Sequence, residues 1–243
     1  RDMHFRTEEN LLSVADRVIC MRHFFEEIAK KHINTSNLTV AEHPLLVSEK
    51  VQHRATESVD KIRLVFTGAL YRKIRNPISL LLVLEALFEK LPYLEVHFYG
   101  GGDCNSLLEG FAMTKPRNFF HHGLVSLSEA KLAQSKATAL LSIGNSTNFQ
   151  LPSKIFEYMS TSLPIIHFAN NSRDNSIEIL RKYPDHLIID QETERYTQMS
   201  VKVINFLNQP RAVINLEYLK STYSDALPSY TANLMLDAVI HQS

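Results

Sequence analysis

Cysteine is scarce in this 243-residue chain: Cys20 and Cys104 stand far apart, with no Cys-x-x-Cys pair and no histidine at ligand spacing. Neither a disulfide framework nor a zinc site is indicated, and a reducing cytoplasm suits that usage. Excess charge is lacking too. Lys plus Arg and Asp plus Glu each number 26, so no overall basic field favours nucleic acid. No apolar run is long enough to span a bilayer, since the longest, from Ile78 to Leu84, is broken by Ser79 and closed by Glu85. There is no Asp-x-Asp pair to hold a divalent ion, and no metal is expected. The chain opens at Arg1 with no methionine and no signal-like segment, so a fragment of a longer reading frame is expected. Glycine numbers only seven, which gives weight to where it stands.

What is present is ordinary globular material. At 44% hydrophobic and 21% charged residues, disorder and collagen-like repeats are set aside, and the length suits one large domain with a piece of another. From Ile62 onward, short β-branched or aromatic runs alternate with longer helical ones, the pattern of repeated βα units around a parallel sheet. Six strands are predicted, at 62–67, 94–99, 119–122, 139–143, 164–168 and 187–190, most of them apolar on both faces as covered parallel strands are. Helices are predicted at 76–90, 103–113, 128–134, 153–160, 175–182 and 193–207, with 212–222 and 230–241 as terminal helices. The first opens on Asn76-Pro77, read as N-cap and first helical residue. Residues 1–47 read as helix, strand, helix and strand, too little for a domain, and the polar stretch 48–60 reads as a linker. The expected fold is α/β: a Rossmann-like domain over 61–243, with a parallel sheet of about six strands flanked by helices.

In an open parallel sheet every strand ends on the same edge, and ligands bind in the crevice there. Gly68, Gly100, Gly101, Gly102, Gly123 and Gly144 all follow predicted strands, which fits both a ligand crevice and ordinary turn chemistry. The triple glycine does not continue as a dinucleotide fingerprint and reads better as a turn, with Asp103 capping the next helix. Behind Gly68, the cations Arg72, Lys73 and Arg75 would together neutralise a diphosphate, although any one of them is equally well a solvated charge. The sharpest signal runs from Leu151 to Ile166. On a helix starting near Ser153, Lys154 and Glu157 are three residues apart and share a face, while Ile155 and Met159 share a core-facing one. The start of such a helix would offer free backbone N–H groups to an anion. The bland alternative is a surface ion pair worth roughly a few tenths of a kcal/mol. His121-His122 reads as strand filler, because adjacent strand residues point to opposite faces.

The segment Pro-Ser-Lys-Ile-Phe-Glu-Tyr-Met-Ser-Thr-Ser-Leu-Pro-Ile-Ile, beginning at Pro152, closely resembles the donor-site segment of family 4 retaining glycosyltransferases, particularly bacterial polysaccharide enzymes. Val65-Phe-Thr-Gly-Ala-Leu, Val96-His-Phe-Tyr-Gly-Gly-Gly-Asp and Phe120-His-His-Gly-Leu-Val are similar, in order, to that family's first three donor-domain strands and loops. The resemblance covers 62–168 and, more loosely, the whole chain. It implies the donor-binding half of a GT-B fold, with 1–47 resembling the end of the acceptor-binding domain and the start of the linker, and most of that N-terminal acceptor domain missing. It implies transfer of a sugar from a nucleoside-diphosphate sugar, UDP type favoured, to a glycan or lipid-linked acceptor, with no cofactor, in the cytoplasm or peripherally at the inner membrane face.

Carried over by position, Glu157 resembles the ribose-binding glutamate, a carboxylate that accepts from two hydroxyls. Arg72 or Lys73, with Lys154, resembles the basic pair on the diphosphate, which would also stabilise the leaving group in catalysis. Gly68 would let backbone approach the phosphates beside Arg75 and Ser153, and Gly123, Leu124 and Val125 would lie against the base. The family usually has a further glutamate about two turns upstream of the ribose-binding one; Phe149 and Gln150 stand in that region, leaving Asn145, Ser146 and Gln150 as neutral partners for the sugar. Two other readings stay open: a nucleotide-sugar epimerase of the same architecture, and a noncatalytic module that binds a nucleotide or docks a partner.

Overall fold

The computed structural model describes residues 2–31, 35–46, 61–147 and 151–240, which divide into two compact units. The smaller unit begins with α1 (Asp2–Val14), β1 (Val18–Cys20), α2 (Arg22–Lys31) and β2 (Leu38–Val40), the two short strands pairing in parallel. The larger unit spans Ser48–Asn215. It runs β3 (Arg63–Thr67), α3 (Ile78–Lys90), β4 (Glu95–Tyr99), α4 (Asn105–Thr114), β5 (Phe119–His121), α5 (Leu127–Ser135) and β6 (Ala139–Ile143). It continues with α6 (Lys154–Met159), β7 (Ile165–Ala169), α7 (Ser176–Leu180), β8 (His186–Asp190) and α8 (Tyr196–Asn208). Two further helices, α9 (Leu216–Thr222) and α10 (Pro228–Ile240), belong to the smaller unit.

That last point corrects the sequence reading, which kept the terminal helices with the sheet. The Glu42 and Leu45 N–H groups donate to the carbonyls of Asp225 (2.9 Å) and Ala226 (2.8 Å), and Arg22 pairs with Asp225. Bonds between the two ends of a chain leave no mark in local periodicity. The expected linker, 48–60, lies outside the described residues. The six sheet strands and their helices stand where the alternation puts them, with ends shifted by a few residues. Pro77, not Asn76, takes the N-cap position of α3, and the Asn76 side-chain oxygen accepts from the Ile78 N–H at 3.0 Å.

The six strands form one fully parallel sheet in the order β5-β4-β3-β6-β7-β8. Side chains alternate across it, so β3 sends Leu64 and Phe66 to one face and Val65 and Thr67 to the other. The first face packs with α3 and α8 into a core that includes Leu80, Leu84, Phe98, Ile166 and Val203, each worth about 1.5–3 kcal/mol of burial. On the second face α5 packs against β3 and α6 against β6.

Toward the β5 edge this second face carries a stack of rings. Tyr99 lies on His122 with centroids 4.2 Å apart and His97 lies on Phe120 at 4.7 Å, while His97 Nδ1 and His122 Nε2 share a 3.0 Å hydrogen bond. His122 is thus part of a built cluster, not filler. Burial would raise the pKa of the adjacent Glu95, but hydrogen bonds from Lys61, Arg63 and His97 bring it down to about 2. Burial lowers the pKa of both His97 and His122. A histidine with a folded pKa below its unfolded value of about 6.5 loses stabilising effect as pH falls, because unfolding then takes up protons. Tm is therefore expected to drop between about pH 7.5 and 5.5, and replacing both histidines by phenylalanine, which keeps the stack, to make that drop shallower. An unchanged slope in the double variant would show that this pair is not its source.

Candidate functional site

The strand order reverses between β3 and β6, so the crevice at their carboxyl ends is the topological switch point of the sheet. β3 pairs with β4 over five residues but with β6 only at Leu64–Ala139 and Val65–Leu140, so the ends of β3 and β6 part. There the Thr67 N–H donates at 2.7 Å to the hydroxyl of Tyr158. Tyr158 is fully buried on α6, and burial pushes its pKa up to about 12. It pins α6 to the end of β3.

Four of the six residues of α6, Ile155, Phe156, Tyr158 and Met159, are buried, which leaves Lys154 and Glu157 facing the crevice. Lys154 Nζ donates to Glu157 Oε2 at 2.6 Å. The buried Gln134 donates through Nε2 to Glu157 Oε1 at 2.7 Å and to Thr67 Oγ1 at 2.8 Å. This pair is more than a solvated surface contact, since the two side chains are only 32% and 28% exposed and the carboxylate is tied to the last residue of β3. The start of α6 differs from expectation. The Ile155 and Phe156 N–H groups already donate to the carbonyls of Pro152 (3.0 Å) and Ser153 (3.2 Å), because so short a helix closes its first turn on itself. Ser153 is exposed at the N-cap and makes no side-chain cap bond.

Of the three cations behind β3, the structure turns one inward. Arg75 Nε and Nη2 both donate to Asn145 Oδ1, at 3.1 and 2.8 Å, and Nη1 donates to the Ala69 carbonyl at 3.4 Å. Its Nη1 lies 3.8 Å from where a Cβ on Gly68 would stand. Arg72 and Lys73 are exposed. The Arg72 N–H is held by Asp103 Oδ1 at 2.7 Å, so Asp103 fastens a neighbouring loop, and Cys104 takes the cap position of α4. Asn145 and Ser146 are likewise fasteners. Asn145 is 5% exposed and occupied by Arg75, while the Ser146 N–H and hydroxyl, both at 2.6 Å, donate to the Ile74 and Lys73 carbonyls. Gly68 gives its N–H to the Tyr99 carbonyl at 2.8 Å, so it contributes space to the crevice and not a donor. Gly123 is held at the rim by accepting the Gly100 N–H at 2.7 Å, with Leu124 86% exposed and Val125 half-buried beside it. Phe149 and Gln150 lie outside the described residues.

Burial lowers the pKa of Arg75, opposed near neutral pH by the charge of Asp174. Asp174 is itself buried. His167 Nε2 bonds its Oδ2 at 3.1 Å, and His167 Nδ1 meets Ser142 Oγ at 3.0 Å. This serine, histidine and carboxylate are all shut from solvent, so they brace β6 and β7 against the start of α7 and supply negative charge near Arg75. Sequence reasoning missed Tyr158, Asp174 and Gln134. For Gln134 a weak signal existed: it stands four residues after Ala130 on α5, a spacing that puts both on one helical face.

Among the described residues no group of three or more His, Cys, Asp or Glu side chains is placed to hold a metal ion, and no helix is long and apolar enough to cross a membrane. The fold of the larger unit is that of a Rossmann-like half of a GT-B glycosyltransferase. No protein-family model and no curated protein matches the chain. Solved structures do. The lipopolysaccharide outer core galactosyltransferase WaaB in its apo form is similar at a TM-score of 0.64 and 14% identity, over 94% of this chain and 63% of that one. A TarM G117R variant of S. aureus in complex with fondaparinux, alpha-GlcNAc-glycerol and UDP gives 0.64 and 15%, over 99% and 46%. The pneumococcal O-GlcNAc transferase GtfA in complex with UDP and GlcNAc gives 0.55 and 14%, over 98% and 43%. The chain thus spans less than two thirds of the length of each.

Proposed function

We propose that this chain is the donor-binding part of a retaining, family 4-like glycosyltransferase and grips a nucleoside-diphosphate sugar at the β3/β6 crevice. One observation carries the reading: a cation and a carboxylate are both held at the end of one strand, the cation by Ala69 and Asn145 just beyond it. Arg75 lies against Gly68, and Glu157 is tied through Gln134 to Thr67. A carboxylate has about four lone-pair sites. Gln134 takes one on Oε1 and Lys154 one on Oε2, which leaves one on each oxygen for the vicinal hydroxyls of a ribose. The half-buried Arg75 and Lys154 suit the diphosphate, and in place of a metal they would stabilise the charge that develops on it as the bond to the anomeric carbon breaks. UDP is the favoured nucleotide, as two structural neighbours hold it.

Recognition of a glycan or lipid-linked acceptor falls to a facing N-terminal domain, in the cytoplasm or peripherally at a membrane. The chain itself is expected to bind donor and transfer little. Titration calorimetry with UDP tests the reading: Lys154→Ala and Glu157→Ala are each expected to weaken binding about tenfold, or about 1.4 kcal/mol. Wild-type affinity in both variants would overturn the assigned pocket.

A further inference from the structure

We infer that Gln134 is a positioning residue of this site, holding the Glu157 carboxylate in register for a sugar diol without touching the nucleotide. This rests on the donor-site reading above and adds to it the part that keeps the carboxylate in place once a ligand arrives.

Gln134 is 2% exposed near the carboxyl end of α5, so a bound molecule does not reach it. Its contact with Glu157 fixes the orientation of its amide. A carboxylate oxygen only accepts, so at 2.7 Å it faces the NH2 group and not the amide oxygen. The two Nε2 protons then have two acceptors, Glu157 Oε1 and Thr67 Oγ1. Thr67 is 3% exposed, and its hydroxyl also meets the Tyr158 hydroxyl at 3.2 Å. The bridge therefore spans α5, the end of β3 and α6. α5 itself is fixed at its start by a capping box, in which Ser126 and Glu129 bond each other's backbone N–H.

The other hold on the carboxylate is of a different kind. Lys154 is a flexible ammonium, 32% exposed, and an arriving diphosphate competes for it. Gln134 is neutral and enclosed, so no anion draws it away. It is the constraint that persists in the bound state.

The test uses two ligands on one protein: UDP, and 2′,3′-dideoxy-UDP, which lacks the hydroxyls that Glu157 would receive. Wild type is expected to prefer UDP about tenfold, and Gln134→Met to bind UDP about five- to tenfold more weakly while holding the dideoxy ligand within about twofold. Adding Gln134→Met to Glu157→Ala is expected to cost nothing further, since both act on one interaction. Equal weakening of both ligands, or losses that add, would overturn the role. Gln134→Glu has nearly the native shape but sets two carboxylates face to face, which share a proton at low pH; its selectivity for UDP is expected to vanish as pH rises and that proton leaves, while wild-type selectivity stays level, which serves if the methionine variant is unstable. A wild-type chain that binds neither ligand overturns the donor-site reading and this role with it, whereas a wild type that prefers UDP beside an unaffected Gln134→Met overturns this role alone.

Discussion

Affinity for UDP is expected to fall about thirty- to hundredfold in Arg75→Met, because a charge-assisted contact to phosphate contributes about 2–3 kcal/mol and tenfold corresponds to about 1.4 kcal/mol. Of the three cations behind β3, only Arg75 is partly buried, its guanidinium held at Asn145 and Ala69 between the ends of β3 and β6. Arg75→Lys keeps a charge but loses the planar fork that spans those contacts, so partial recovery is expected. Arg72→Met and Lys73→Met remove exposed charges and should change affinity less than about threefold. Calorimetry at a temperature well below each variant's Tm separates lost binding from lost loop anchoring. The assignment fails if an Arg72 or Lys73 variant is the more damaging.

The second large effect is on the fold. Gly100 has φ +144°, a conformation that side chains disfavour, and a Cβ placed on it would lie 1.8 Å from the Gly68 carbonyl oxygen. The obstacle is backbone, and it cannot swing aside as a side-chain tip can. Gly68 in turn donates to Tyr99, and Gly100 donates to Gly123, so the loops after β3, β4 and β5 are drawn together at this point. Gly100→Ala must therefore push the Gly68 loop outward, loosening the segment that delivers Arg75. A loss of about 3–4 kcal/mol is expected, lowering Tm by about 10 °C and weakening UDP binding as well. Urea and thermal unfolding measure the first, and calorimetry the second. Gly110→Ala is the control: it sits inside α4 with nothing near its added Cβ, and should be neutral or slightly stabilising. A Gly100→Ala protein as stable as Gly110→Ala would show that the loops are not locked in this way.

These glycines also show how far the sequence can be read. Their positions behind the strands were legible and suggested a ligand crevice. The structure gives Gly100 a different reason, the contact of one loop's backbone with another's. The Lys154–Glu157 pair was legible because residues three apart on a helix share a face whatever surrounds them. Which cation behind Gly68 turns inward was not. That choice follows from the Ser146 bonds to Lys73 and Ile74 and from the Arg75–Asn145 contact, about seventy residues away along the chain.

By itself, then, the sequence determined the alternation of strand and helix, the parallel sheet that follows from it, and the edge at which polar residues gather, because periodicity and crossover geometry are local properties of the chain. Only the tertiary structure decided which side chains at that edge stand free for a ligand and which are consumed as fasteners. Ser146 went to the loops, Asn145 to the guanidinium of Arg75, and Gln134 and Tyr158 to the support of α6, while Lys154 and Glu157 keep part of their surface open. The physical reason is that a buried polar group must find a partner, and here each partner is supplied by a distant part of the chain.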